Sequence, residues 1–147
     1  MTLTQADLIS RAEITDLIHR YAYNVRIGNP ADSAMLFTEN GIFEIRETDT
    51  TDLTAARPRR TLTGQDAIKQ YLADTNHTDV KLCPLISNLL IEMDGNSASS
   101  SCVMTNRIWP GEKQMIGEYR DQFYRTNEWR FTSRVYTIFG AESAVQA

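Results

Sequence analysis

The chain alternates polar and apolar positions in two distinct regimes. Up to about residue 75 the apolar residues recur every three or four positions. Between Thr4 and about Gly28, residues Ile14, Leu17, Ile18, Tyr21, Ala22 and Val25 share one helical face. Thr4, followed three residues later by Asp7, supplies an N-cap with its partner acid, and Gly28 supplies a stop. Asn29 before Pro30 repeats the start signal, which predicts a short second helix carrying Met35, Leu36 and Phe37 and ending near Asn40-Gly41. The β-branched and aromatic run Ile42 to Arg46 then reads as a strand. Residues 47–58 are rich in turn formers and lack a period, predicting a mobile loop able to cover a pocket mouth, with a short strand at Arg59 to Leu62 after it. Thr63-Gly64 opens a third helix with Ala67, Ile68, Tyr71 and Leu72 on one side, ending around Thr75.

From Leu85 onward the pattern becomes long β segments joined by tight turns. The segments run from Leu85 to Met93, Ser97 to Trp109, Lys113 to Arg125 and Trp129 to Phe139, with turns at Asp94-Gly95-Asn96, Pro110-Gly111 and Thr126-Asn127-Glu128. Three consecutive hairpins make an antiparallel meander. Helices first and a meander afterwards predict an α+β domain spanning 1–147, with three helices gathered on one face of a strongly curved, mostly antiparallel sheet. In the last strand strict alternation puts Trp129, Phe131, Val135 and Phe139 on one side and Tyr136 and Ile138 on the other. Neither face is then cleanly polar, and a homodimer through the outer face is the simplest expectation.

Composition narrows the function classes. A chain of 147 residues, 41% hydrophobic and 23% charged, is an ordinary globular sequence. A net charge of −4 gives no basic face for nucleic acid or anionic lipid, so neither is expected as a partner. The one basic cluster, Arg57, Arg59 and Arg60 around Pro58, reads as part of a solvated loop in preference to a phosphate site. No apolar run approaches a membrane span and no leader pattern opens the chain, so a cytoplasmic protein is expected. Cys83 and Cys102 form no metal or redox motif and read as small buried apolar residues. No His, Cys, Asp and Glu set has metal spacing, and no glycine-rich loop has the dinucleotide or P-loop form, so no metal or cofactor is expected.

Several segments stand in a recognisable order: "RAEITDLIHRYAY", "LFTENGIFEI", "GQDAIKQYL", "SNLLIEMDGNSASSSC" and "GEYRDQFYRTNEWRFTSR" with its Gly-x-Tyr-x-Asp strand. The ordered set covers almost the whole chain and resembles the SnoaL-like branch of the nuclear transport factor 2-like superfamily. That resemblance implies a cone-shaped, cystatin-like α+β roll, usually dimeric, with a pocket between sheet and helices. Catalytic relatives include polyketide cyclases, dehydratases, isomerases and epoxide hydrolases, which typically need no cofactor. Two positions depart from them. Where many relatives carry an aspartate five residues after the position of Tyr21, this chain has Arg26. Where some carry a histidine four residues before the position of Asn88, it has Pro84.

The remaining chemistry is therefore sought elsewhere. Arg26, on the flank of the first helix's apolar face, is a candidate for electrostatic stabilisation of a carboxylate or enolate, or else a helix-end arginine reaching solvent. Glu44 is the candidate acid or base if its face lines the pocket, and a structural partner of Arg46 if it does not. Tyr21, Val25 and Trp109 are expected around the ligand, and the resemblance adds Asn88, Asn106, Tyr119 and Arg134, which lie on strands where relatives often project polar groups, with Asp121 pairing with Arg134 as a structural salt bridge. His19 reads as a surface residue and His77 as a loop residue that a lid could bring over the pocket. The functional expectation is a pocket protein for a small hydrophobic molecule. It is either a cofactor-independent isomerase, dehydratase or cyclase acting on a carbonyl or hydroxyl compound, or a binder or scaffold that kept the fold without the acid/base pair.

Overall fold

The computed structural model describes residues 2–76 and 79–140. Helix α1 spans Gln5–Ile27; Thr4 and Asp7 form a reciprocal capping box at its start, and Gly28 closes it in the left-handed conformation at φ 70°. Its buried stripe includes Ile14, Leu17, Ile18, Tyr21 and Ala22, as the spacing predicts. Helix α2 is short, Pro30–Met35, and stops before Phe37. The expected continuation to Asn40-Gly41 is overturned because the chain joins the sheet instead. Phe37 is fully buried and pairs with Phe131, and the Phe131 amide donates to the Leu36 carbonyl at 2.9 Å. Strand β1 therefore runs from Phe37 to Thr48, with a register shift between Phe37 and Ile42.

Segment 47–58 is not a structureless loop. After β1 come a 3-10 turn at Leu53–Ala55, capped by the Asp52 side chain, and strand β2 at Arg57–Thr63, which pairs antiparallel with β1. Arg57 reaches both Glu47 and Asp49 at 3.4 Å across this hairpin. Helix α3 occupies Gln65–Asp74. The meander follows as β3 (Lys81–Asp94), β4 (Ser97–Trp109), β5 (Gln114–Arg125) and β6 (Trp129–Phe139). The six strands lie in the order β2-β1-β6-β5-β4-β3, with β1 and β6 the one parallel pair and the others antiparallel. Three helices on a mostly antiparallel sheet make this an α+β fold. The main core lies between α1 and the inner face of the sheet, with Ile14, Ile18, Phe37, Phe43, Phe131 and Ile138 at its centre.

Two irregularities decide what faces that core. In β6 the register shifts, so that Phe131 opposes Phe123 while Ser133 opposes Gln122, leaving Thr132 as an extra residue. Side chains change parity there. Trp129 and Phe131 point inward before the bulge, and Arg134, Tyr136 and Ile138 do so after it. Trp129 and Phe131 thus share the inner face with Tyr136 and Ile138, which were expected opposite them, while Val135 and Phe139 alternate to the outer face. In β3 a second shift between Ser87 and Leu90 centres on Asn88, an exposed residue with φ 52°, a conformation asparagine adopts more readily than most. None of the helices among the described residues is long and apolar enough to cross a membrane.

Candidate functional site

A cavity of about 380 Å³ opens between the inner face of the sheet, α1 and α3. Its walls are apolar: Val25 from α1, Phe43 and Ile45 from β1, Met104 and Ile108 from β4, Ile138 from β6. Four tyrosines line it. Tyr21 and Tyr119 are almost wholly buried, Tyr136 pairs in register with Tyr119, and Tyr71 comes from α3. Strand period explains why. Gly117, Tyr119, Asp121 and Phe123 alternate with exposed or half-exposed residues along β5, so all four face inward. Gly117 has no side chain for a physical reason: a Cβ there would strike the Thr137 carbonyl and come within 2.9 Å of the Tyr136 ring. The glycine makes room for that ring.

Beneath the tyrosines lies a closed ion pair. Arg134 and Asp121 are fully buried, with Nε donating to Oδ1 at 2.8 Å and Nη2 to Oδ2 at 2.9 Å. The guanidinium carbon stands 3.7 Å from the Tyr119 ring centre, 4.4 Å from Phe131 and 4.5 Å from Tyr21. Nη1 has no hydrogen-bond partner, so the rings are what this side of the cation meets. Burial pushes the Asp121 carboxyl above its ordinary value while the guanidinium beside it pulls it back, and the two-bond fork is the geometry of carboxylate facing guanidinium. The salt bridge expected from sequence is present, and it is architecture beneath the cavity: Arg134 is not among the residues that line it.

Burial also raises the hydroxyls of Tyr21, Tyr119, Tyr136 and Tyr71 above the ordinary tyrosine value, with Arg134 opposing the rise at Tyr21 and Tyr119, and Arg59 and Arg60 opposing it at Tyr71. They stay protonated at neutral pH and serve as hydrogen-bond donors to an oxygen acceptor. Asn106 adds an amide to the polar lining. It is 7% exposed, and its Oδ1 is buried with no partner. The described lining residues include no carboxylate and no imidazole.

Of the residues expected around a ligand, Tyr21, Val25, Asn106 and Tyr119 line the cavity. Asn88 sits on the β3 bulge, facing solvent, and Trp109 is 66% exposed at the end of β4. Arg26 is exposed over the Tyr23 ring at 5.2 Å, because its place on α1 lies off the buried stripe. Glu44 accepts a 2.9 Å bond from Arg46 on the outer side of β1, since Phe43 and Ile45 take the inner side. His19 is exposed and His77 lies outside the described residues. Cys102 is buried, its thiol pushed up to about 11 by burial, whereas Cys83 is only half-buried.

Tyr71, Tyr136, Arg59 and Arg60 line the cavity and were not among the expected site residues. Tyr136 was hidden by the β6 bulge, which strict alternation cannot detect. Arg59 and Arg60 fall in the strand expected at Arg59 to Leu62, but their cluster reads as solvated from sequence; a register shift against β1 leaves Arg59 as an extra residue, and both come to line the cavity.

A family model for the SnoaL-like domain matches residues 6–135. Among solved structures, the Mycobacterium tuberculosis protein Rv3472, of unknown function, superposes with a TM-score of 0.74 at 23% identity, over 95% of this chain and 82% of that one. The β subunit of a provisionally assigned aromatic-ring-hydroxylating dioxygenase from Novosphingobium aromaticivorans gives 0.78 at 12% identity, over 94% of each chain. A protein of the same organism provisionally assigned as a scytalone dehydratase gives 0.69 at 20%, over 92% of this chain and 88% of that one. No curated protein sequence matches significantly. These structural likenesses carry the fold, and the match across 6–135 carries the family: the chain belongs to the SnoaL-like domain family.

Proposed function

We propose that this protein binds a small, largely apolar molecule bearing a carbonyl or hydroxyl oxygen, and that the cavity holds that oxygen by hydrogen-bond donation. The observation that carries the reading is the lining itself: tyrosine hydroxyls and one unsatisfied amide set in an apolar wall of about 380 Å³, a volume suited to a small organic ligand. Apolar surface supplies affinity, and the few polar groups fix orientation. Catalysis is the second reading, by isomerisation, dehydration or cyclisation. It is favoured by the Arg134 cation packed against Tyr119 and Tyr21, a position from which it strengthens both hydroxyls as donors to a developing oxyanion.

The test is a thermal-shift screen of the purified protein against neutral polyketide-like, steroid-like, terpenoid and aromatic carbonyl compounds. A ligand at a hundred times its dissociation constant adds about 2.7 kcal/mol of stability. Tyr119→Phe removes one hydroxyl and is expected to weaken a hit about fivefold. Hits that bind Tyr119→Phe as well as the parent, or the absence of any hit, would count against the cavity reading. Product formation that vanishes in Tyr119→Phe would establish the catalytic reading.

Two further expectations belong to the same proposal. Leu85, Leu90, Ile116 and Tyr124 are exposed beside core-facing neighbours on the sheet, and self-association through this outer face covers them. Sedimentation showing a monomer at micromolar concentration would remove it. The cytoplasm is the compartment assigned, in keeping with two unpaired cysteines.

A further inference from the structure

The charged residues at the cavity are of one sign. Arg59 and Arg60, both exposed, are the charged side chains among its described lining residues, although the chain as a whole carries −4. The exposed arginines Arg26, Arg107 and Arg125 also lack an ion pair among the described residues but stand away from the cavity, whereas several others are already paired. Arg20, Arg57, Arg120 and Arg130 each have a carboxylate oxygen within 3.4 Å. Arg59 has one only at 3.8 Å, on Glu47, which Arg57 engages more closely. Arg60 has no acidic partner among the described residues; its guanidinium lies over the ring of Tyr71, 5.2 Å from the centre, and that ring lines the same cavity. Stacking on Tyr71 holds the Arg60 fork at the rim with its donors free.

Inside the same cavity, Asn106 has a buried oxygen without a partner. In either orientation of the amide the buried end needs a hydrogen bond, and leaving it unmet costs stability. A hydroxyl-bearing ligand supplies that bond. The two observations are independent, and both residues line the one cavity.

We infer that the ligand is an organic anion, a hydroxylated aromatic or alicyclic carboxylate, whose carboxylate is held at the rim by Arg60 with Arg59 beside it and whose hydroxyl meets Asn106. This rests on the reading of the cavity as a small-molecule site and adds the charge of the molecule it takes. The apolar walls focus the field of the two guanidinium groups across the opening, which favours entry of an anion.

The experiment measures binding, by calorimetry on the full chain, of hydroxyaryl carboxylic acids of one to three rings, each beside its methyl ester. An acid is expected to bind about tenfold tighter than its ester, as one charge-assisted hydrogen bond allows. That gap should shrink on raising salt, and Arg60→Gln should close it to within about twofold by weakening the acid. Asn106→Leu should reduce the advantage of a hydroxy acid over its deoxy counterpart, which a purely electrostatic attraction would leave untouched. Esters that bind as well as acids, or a gap that survives Arg60→Gln, overturn the inference and leave the cavity reading standing. Failure of every acid while neutral compounds from the broader screen bind has the same meaning. Failure of both panels removes the inference together with the reading beneath it.

Discussion

Arg134 and Arg60 belong to the same chemical type, one enclosed in the core and the other exposed on the lining of the cavity, and their surroundings give them different work. Arg134 is wholly enclosed, forked onto Asp121 and packed against three aromatic rings. Arg60 is exposed, rests on one ring and faces no carboxylate among the described residues. A charge buried in a folded protein has to be neutralised by the protein itself, because water no longer can do so. A charge at a rim is stabilised by water and remains available to whatever displaces that water. The partner a charge already has, more than its proximity to the cavity, separates architecture from recognition.

The largest expected effect comes from breaking the closed side of this comparison. Asp121→Asn leaves the Arg134 cation in the core without its counter-charge, and should cost about 3–5 kcal/mol in urea denaturation. Replacing both partners with apolar residues, Asp121→Leu with Arg134→Met, should recover most of that loss, since what is expensive is the uncompensated charge. By contrast Arg60→Gln should stay within about 0.5 kcal/mol of the parent. An Asp121→Asn loss as small as that of Arg60→Gln would erase the distinction.

A second effect tests the tyrosines packed against Arg134. Tyr21 and Tyr119 have hydroxyls raised by burial above their ordinary value of 10.0. In the folded protein they keep their protons at a pH where the unfolded chain loses them. Their contribution to stability is therefore complete below pH 10 and declines as pH rises through and beyond that value. Each contributes a slope approaching about 1.4 kcal/mol per pH unit above that point, and the raised hydroxyls of Tyr136 and Tyr71 add to it in the same direction. Urea midpoints between pH 8 and 11 measure it, and Tyr119→Phe should lower the slope by one such increment, about 1.4 kcal/mol per unit. A stability that is flat to pH 11 would mean that water or an acceptor reaches these hydroxyls.

The same contrast explains what could be read from the sequence. The limits of α1, β4 and β6 follow from local signals, a capping box, a terminal glycine and turn residues, and they appear where the sequence places them. Tyr21 and Val25 were legible from the helical period, and Asn106 and Tyr119 from the resemblance to relatives that project polar groups from these strands; all four line the cavity. Periodicity fails where a long-range pairing changes the count. Phe37 leaves the helix for β6, Thr132 reverses the parity of Tyr136, and Asn88 turns out to solvent at the β3 bulge. Arg59 and Arg60 reach the rim through the β1–β2 hairpin, where a register shift leaves Arg59 as an extra residue. The partner of Phe37 lies far along the chain, beyond any window of neighbouring residues, and the shifts at Thr132, Asn88 and Arg59 interrupt the period on which strand reading depends.

The smallest expected effect concerns Arg26 and Glu44, the two residues that the departure from catalytic relatives makes conspicuous. Arg26 stacks on Tyr23 in solvent, and Glu44 shares its hydrogen bond with Arg46 on the outer side of β1, where the pair is partly exposed. Exposed pairs of this kind contribute little, because water and salt screen them and two long side chains must be ordered to form them. Arg26→Ala and Glu44→Gln should therefore leave the affinity for any cavity ligand within about twofold of the parent and stability within about 0.5 kcal/mol. A larger loss of affinity in Glu44→Gln would show that the outer side of β1 communicates with the cavity through Phe43 and Ile45, and proximity in sequence would then matter more here than the direction of the side chain.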